Sequence, residues 1–217
     1  AEEDAPVEMV VLLHGVLRTD RSMGKLERHL AEAGYRVQNI RYASRRAPDE
    51  LVEDLGAQLE PCCAGAARIH FVTHSLGGIL LRAYLAKHEL PTLGRVVMLA
   101  PPNHGSEYVD KLRDWKWFQW LFGPTGVQLG TDAQSLPSRL PPVSFELGVI
   151  AGTSGINPLS AFVMPAGSDG TVSLASARIE GMQDFVAVPA SHSFIMYSGL
   201  PVDLALEFLR RGRFAPR

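Results

Sequence analysis

Thr73-His74-Ser75-Leu76-Gly77-Gly78 joins a short segment, Arg68 to Thr73 (RIHFVT), to a stretch rich in Leu and Ala, Gly77 to His88. The first segment reads as a strand and the second as a helix. A serine at such a junction sits on a tight turn, its hydroxyl lifted above the sheet edge. Its neighbours must be small, because strand and helix close on each other there, and Gly77 meets that demand. The helix N-terminus behind it supplies a positive dipole end and unused N–H groups. The Leu76 N–H can then point at an oxyanion. A serine N-cap in a glycine-terminated turn is the bland account of the same residues. Position and context together favour a nucleophile at Ser75.

Working outward, strands alternate with helices, which argues for an α/β sheet with mostly parallel strands. Val7 to Leu13 (VEMVVLL) is nearly continuously apolar, as expected of a strand covered on both faces. Ser22 to Ala33 reads as a helix with Met23, Leu26 and Leu30 on one stripe, stopped by Gly34. Tyr35 to Tyr42 is a second strand. Pro48 to Cys63 is a helix with Leu51, Leu55 and Leu59 at i, i+4, i+8. Arg95 to Ala100, Val143 to Ala151 and Phe185 to Val188 complete about six strands. Val202 to Arg210 is a closing amphipathic helix. Residues 103–142 interrupt the alternation. At about 40 residues they exceed the roughly 12–15 usual for a structureless connection, which implies structure or function of their own.

The chain has 217 residues, with 46% hydrophobic and 20% charged residues and a net charge of −2. These values suit one folded domain over 1–217 and exclude disordered, collagen-like and coiled-coil chains. The charge implies no attraction to nucleic acid. No uncharged apolar run reaches the roughly 18–20 residues of a membrane span. Cys62 and Cys63 read as a pair of thiols, too few for a disulfide framework or a zinc site. They leave the compartment open. The acidic start Ala1-Glu2-Glu3-Asp4-Ala5-Pro6 is not expected to be a signal peptide. Acidic residues are scattered rather than clustered, so no metal site is expected.

On the segment around Ser75 the chain resembles the α/β-hydrolase superfamily and, within it, the bacterial lipase and esterase group. Thr73 departs from the glycine that usually stands two residues before the serine, and a slightly opened or repositioned turn is expected. The resemblance runs from the first strand to the last helix. It implies a parallel sheet with helices on both faces, a lid or cap inserted at 103–142, and no cofactor. His14-Gly15-Val16, directly after the first strand, matches the loop that shapes the oxyanion hole in lipase-like members. By that carry-over the second donor is the Val16 N–H and His14 borders the substrate site.

A triad in this fold runs in the order Ser, acid, His. His88 lies about 13 residues along a helix from Ser75, roughly 20 Å away, and is excluded. His104, in Pro-Pro-Asn-His-Gly-Ser, can touch substrate but precedes every plausible acid. The resemblance assigns the general base to His192, in Ala-Ser-His-Ser-Phe. Its relatives often carry an Asp-Gly-x-Val segment, matched here by Asp169-Gly170-Thr171-Val172, which makes Asp169 the expected acid. Asp-Gly is also an ordinary turn. Asp184, just before a strand at the opposite edge of the sheet, is the competitor.

The insertion holds Trp115-Lys116-Trp117-Phe118-Gln119-Trp120-Leu121-Phe122, with all three tryptophans of the chain. On a helix Trp115, Phe118 and Phe122 share one side and Trp117, Trp120 and Leu121 fall elsewhere, so one buried face cannot absorb them all. The expectation is a lid over Ser75, with Trp117 and Trp120 against acyl chains and able to touch a lipid interface transiently. Gly123-Pro124 and Gly126 would end that helix and permit hinge motion. A core helix or dimer contact is the alternative. Arg82 is expected in a structural ion pair. The function implied is cleavage of carboxylic, lipid-like esters through an acyl-enzyme. An acyltransferase using the same residues, or a silent binding protein, stays open, as does the oligomeric state.

Overall fold

The structure is a computed structural model and describes residues 6–155 and 163–216. Of the acidic start, residues 1–5 lie outside the described residues. The strands are β1 (Glu8–Leu13), β2 (Arg36–Ile40), β3 (Arg68–His74), β4 (Leu93–Leu99), β5 (Leu147–Gly152) and β6 (Asp184–Val188). They form one six-stranded sheet in the order β2-β1-β3-β4-β5-β6, with every pair parallel. β2 flanks β1 on one side and β3 flanks it on the other. The winding therefore reverses between β1 and β3, and their carboxyl ends open the crevice where such sheets place ligands. Leu13 pairs with Thr73, so the loop after β1 stands level with the turn after β3.

Helices cover both faces: α1 (Gly24–Glu32), α2 (Pro48–Cys63), α3 (Leu76–Lys87), α4 (Glu107–Leu112), α5 (Lys116–Gly126), α6 (Leu174–Ala177) and α7 (Gly199–Arg211). The two-residue period of the strands sorts side chains between them. Met9, Val11 and Leu13 join a cluster with Leu51, Leu55 and Leu59 of α2 and Ile79 and Leu81 of α3. Val10 and Leu12 join another with Leu26 and Leu30 of α1 and Leu204 and Phe208 of α7. Each such side chain contributes about 1.5–3 kcal/mol on burial.

Several boundaries differ from the sequence expectation. The first helix opens as a 3-10 turn, Asp20–Met23, before α1 proper begins at Gly24. It stops as expected at Gly34, which takes φ +97°. The fifth strand begins at Leu147 rather than Val143, because its ladder with β4 starts at the Val96–Leu147 pair. Val143 is buried in the core but stands outside that ladder. The last helix starts at Gly199, with Pro201 in the first turn, where its missing N–H costs no bond.

Residues 103–142 carry α4, α5 and a 3-10 turn at Leu136–Arg139. α5 is broken at Gly123, whose φ of 71° and ψ of −177° are not helical. A Cβ there would stand 2.4 Å from the Arg45 carbonyl oxygen. Thr125 Oγ1 donates to Arg46 O at 2.5 Å, and the Arg45 guanidinium donates to Trp120 O. The expected Gly-Pro hinge is thus a kink pressed against the loop after β2. Phe118 is fully buried and stacks on Phe122 at 4.0 Å. Trp115, Trp117 and Trp120 are 60%, 46% and 69% exposed. The expected stripe of Trp115, Phe118 and Phe122 does not form, because Trp115 caps the helix in an extended conformation.

A tight joint of the fold lies between α3 and β1. A Cβ on Gly77 would stand 2.4 Å from the Leu13 carbonyl oxygen and 2.9 Å from Leu13 Cβ. Gly77→Ala is therefore expected to lower stability by about 1–3 kcal/mol. In a chain of this size that is roughly 2–4 °C in Tm per kcal/mol. Gly24 has helical backbone, φ −63°, and nothing within 4 Å of its missing Cβ. Gly24→Ala should raise stability by up to about 1 kcal/mol. Equal shifts of both variants in thermal unfolding would refute the close-approach explanation.

Candidate active site

Ser75 takes φ 51° and ψ −119°, a conformation that costs a non-glycine residue on the order of 1–3 kcal/mol. The surroundings hold it there. Its N–H donates to Leu99 O at 2.9 Å, and its carbonyl accepts from Gly78 N at 3.1 Å. Thr73, which replaces the expected glycine, is fully buried beneath this turn. The room for it comes from the other side. A Cβ on Gly78 would lie 3.1 Å from Thr73 Oγ1 and 3.0 Å from Met98 Sδ. A glycine three residues after the serine does the work of the missing one before it.

His192, in the loop after β6, lies 2.9 Å by Nε2 from Ser75 Oγ. Its Nδ1 lies 2.8 Å from Asp169 Oδ2. A carboxylate only accepts, so Nδ1 carries the proton and Nε2 is left to accept from the Ser75 hydroxyl. Asp169 is 3% exposed. Its Oδ1 accepts from Thr171 N at 2.9 Å and Val172 N at 2.7 Å. Gly170, at φ +95°, makes the turn that aims these N–H groups back. The His192 N–H donates to Asp169 O at 2.9 Å, so acid and base are also joined through the backbone. Asp184 lies elsewhere, accepting from Phe214 N at 2.7 Å.

His74, next to the serine, is 2% exposed. Its Nε2–H donates to the His192 carbonyl at 2.7 Å, while Nδ1 is buried without a partner. Burial first, and then the neighbouring His192, holds the His74 ring well below the usual histidine range, so it stays neutral. The same ring fills the space over Gly15, where a Cβ would meet Nδ1 at 2.8 Å.

The two expected oxyanion donors belong to different elements. Leu76 is the first residue of α3, so its N–H has no intrahelical acceptor. Beyond β1 the chain turns between Gly15 and Arg18, with Arg18 N donating to Gly15 O at 3.2 Å. Leu17 takes φ 58°, and its N–H donates to Ser44 Oγ at 3.2 Å. Val16, inside that turn, lines the cavity in front of Ser75.

That cavity, of about 300 Å³, has Tyr108, Val109, Phe122, Leu129 and Val172 among its walls, with Ser75, His192 and Asp169. Four residues expected at the substrate lie outside its lining. His14 is fully buried, stacked on Tyr42 with ring centroids 4.0 Å apart, and supports the Val16 turn from below. His104 is exposed, its N–H bonded to Ser176 O at 2.9 Å. Trp117 and Trp120 face solvent, and Phe122 lines the cavity instead, because the turn carrying Phe118 into the core also carries Phe122 inward. Periodicity could not choose among eight consecutive residues of which six are large and apolar.

Arg82 makes no ion pair among the described residues, contrary to expectation. It is 5% exposed and donates to Asn103 O at 3.1 Å and Pro137 O at 3.4 Å. Burial pushes the guanidinium down to about 10. Carbonyls at both ends of the insertion thus converge on a cation from α3. An arginine within the apolar body of α3, ahead of the terminal Lys87, was the available signal.

The family described as palmitoyl protein thioesterase matches residues 9–135. No curated protein matches the chain in sequence. Among solved structures it is similar to the mature Bacillus licheniformis lipase BlEst2, at 19% identity and TM-score 0.79, over 95% of this chain and 94% of that one. It is similar to a metagenomic carboxyl esterase at 20% identity and TM-score 0.70, over 89% and 66% of the two chains. For phospholipase PlaB from Legionella pneumophila the values are 20%, 0.68, 96% and 60%. At such identities the likeness is one of fold: the chain has the α/β-hydrolase fold of lipases and esterases.

Burial lowers the pKa of His14, His70 and His74 alike. A histidine with a depressed folded pKa takes up its proton first in the unfolded chain. Stability present above about pH 6.5 is therefore lost as the pH falls below it, by up to about 1.4 kcal/mol per pH unit for each such ring. Urea unfolding between about pH 7 and 5 should show this slope, and His74→Gln should reduce it by up to one proton. An unchanged slope in His74→Gln would show that the folded protein protonates this ring freely.

Proposed function

The chain belongs to the palmitoyl protein thioesterase family, whose match extends over more than half of it, and on that premise we propose that it is a serine hydrolase of carboxylic esters and thioesters with lipid-like acyl groups. One observation carries the reading: an unbroken line of hydrogen bonds from Ser75 Oγ through the His192 ring to Asp169, at 2.9 and 2.8 Å. Only a neutral imidazole held in the Nδ1–H tautomer leaves Nε2 free to take a proton from the serine.

The steps follow from those positions. Ser75 Oγ attacks the acyl carbon, and its proton passes to His192 Nε2. Asp169 steadies the imidazolium and keeps the ring oriented. The Val16 and Leu76 N–H groups bind the oxyanion, where losing one donor typically costs about 10²–10³ in kcat. His192 then protonates the departing oxygen or sulfur. The acyl-enzyme is cleaved by a water that gives its proton to the same ring. Tyr108, Val109, Phe122, Leu129 and Val172 form the wall against which the acyl chain lies. Residues 1–217 act as one unit in this reading, and 103–142 cover the site, with Trp117 and Trp120 outward toward a lipid surface.

Ser75→Ala should abolish labelling by a fluorophosphonate probe and cut kcat on the order of 10³–10⁶, with the unfolding midpoint retained. His192→Ala should remove the acyl-enzyme burst. Asp169→Asn should lower kcat strongly through the wrong tautomer, whereas Asp184→Asn should spare it. Phe122→Ala should reduce kcat/KM for octanoyl esters well beyond acetyl esters, since each buried methylene is worth up to about 0.8 kcal/mol. Near wild-type turnover in purified Ser75→Ala would overturn the assignment.

A further inference from the structure

We propose that Arg18 forms a subsite for a negative charge on the leaving group, so that the site selects acyl esters or thioesters of an anionic alcohol or thiol; this rests on the hydrolase reading above. The argument starts from the path of the proton. In acyl transfer the base returns its proton to the departing atom, so the leaving group must lie beside His192 Nε2. Arg18 is anchored to the loop that carries His192. Its Nη2 donates to the carbonyl of Ser193, the residue after His192, at 2.7 Å. Its guanidinium carbon lies 5.8 Å from the centre of the Phe194 ring. Arg18 lines the cavity together with Ser191, His192 and Ser193.

The other end of the side chain is equally held. Arg18 closes the Gly15–Arg18 turn that also carries Val16, the proposed oxyanion donor. One short turn thus presents a donor to the acyl oxygen and a cation to the leaving group.

The charge is available. Among the described residues lining the cavity Arg18 is the one permanent cation. No carboxylate pairs with it among the described residues, whereas Arg41, Arg95 and Arg113 each hold an acidic partner. Asp169, the carboxylate in the same lining, has its oxygens engaged by Thr171 N, Val172 N and His192 Nδ1. Arg18 also contributes to keeping the buried His74 ring unprotonated, so its field reaches the floor of the site. A guanidinium has five N–H donors in a planar fork suited to sulfonate, carboxylate or phosphate oxygens.

The test compares two soluble octanoyl esters, of 4-hydroxybenzenesulfonate and of neutral 4-hydroxybenzenesulfonamide. Intrinsic reactivity cancels when the ratio of their kcat/KM values is compared between variants. Arg18→Gln should lower the sulfonate-to-sulfonamide ratio about three- to thirtyfold, and Arg18→Lys should keep most of it. Raising salt from about 0.05 to about 0.5 M should lower the wild-type ratio and leave that of Arg18→Gln flat. Equal losses on both esters would show that Arg18 merely props the Ser193 turn, and would overturn the proposal. Calorimetric binding of the same esters to Ser75→Ala, with and without Arg18→Gln, reads the subsite without turnover. A sulfonate preference there that depends on Arg18, with no Ser75-dependent hydrolysis in the wild type, would overturn the hydrolase reading alone. No preference in binding or in rate would overturn the subsite. A phosphatidylglycerol and a phosphatidylcholine substrate in mixed micelles then tell a lipid headgroup from a soluble anion as its source.

Discussion

The close approach of α3 to the end of β1 is the constraint on which the site depends. With Gly77 packed against the Leu13 carbonyl, the helix N-terminus is drawn down onto the sheet, and Ser75 must pass through a left-handed conformation to make the connection. Strain of about 1–3 kcal/mol is stored in a residue whose hydroxyl is thereby exposed to the crevice. The parallel ladder between β1 and β3 sets the Val16 turn beside the same hydroxyl. A shift of register by one residue would carry the Val16 turn away from Ser75 and would also exchange the two faces of β1 between the core clusters, so the packing of the sheet fixes this alignment.

A second layer of order lies in three histidines with different environments. His192 is partly accessible and reaches both Ser75 and Asp169. His74 is sealed beneath it and kept neutral, with one nitrogen tied to the His192 backbone. His14 is buried under the Val16 turn and stacks on Tyr42. Adjacent imidazoles would repel if more than one were charged, so burial of His74 and His14 suits the proposed role of His192 as the ring that accepts the serine proton. The cost is an unpartnered Nδ1 on His74 and Nε2 on His14, in a region otherwise rich in hydrogen bonds.

The insertion contributes through a few anchors rather than its whole surface. Phe118 enters the core, Gly123 kinks against Arg45, and the buried Arg82 gathers carbonyls from Asn103 and Pro137. These fix the wall containing Phe122 while the tryptophans stay on the outer side. The same cavity is also lined by the polar Arg18, Ser191 and Ser193. In the proposed reading the apolar surface for an acyl chain and the cation for its leaving group therefore come from separate segments of the chain.

The sequence by itself was enough for the alternation of strands and helices and for the elbow at Ser75, because continuous apolar strands, helical stripes and glycine-marked turns are local properties. Pro48–Cys63 was legible to the residue for that reason. Asp169 and His192 were nameable by resemblance, but their meeting with Ser75 over 94 and 117 positions of chain is a property of the sheet order alone. The same limit explains the misread residues. Whether Trp117 or Phe122 faces the cavity depends on which side of α5 the body of the protein occupies. Whether Arg82 meets a carboxylate or carbonyls depends on what the insertion lays across it. The role of Arg18 depends on where the chain returns after β6. Local spacing specifies a side chain's direction relative to its own helix or strand, and only packing between distant segments decides what stands in that direction.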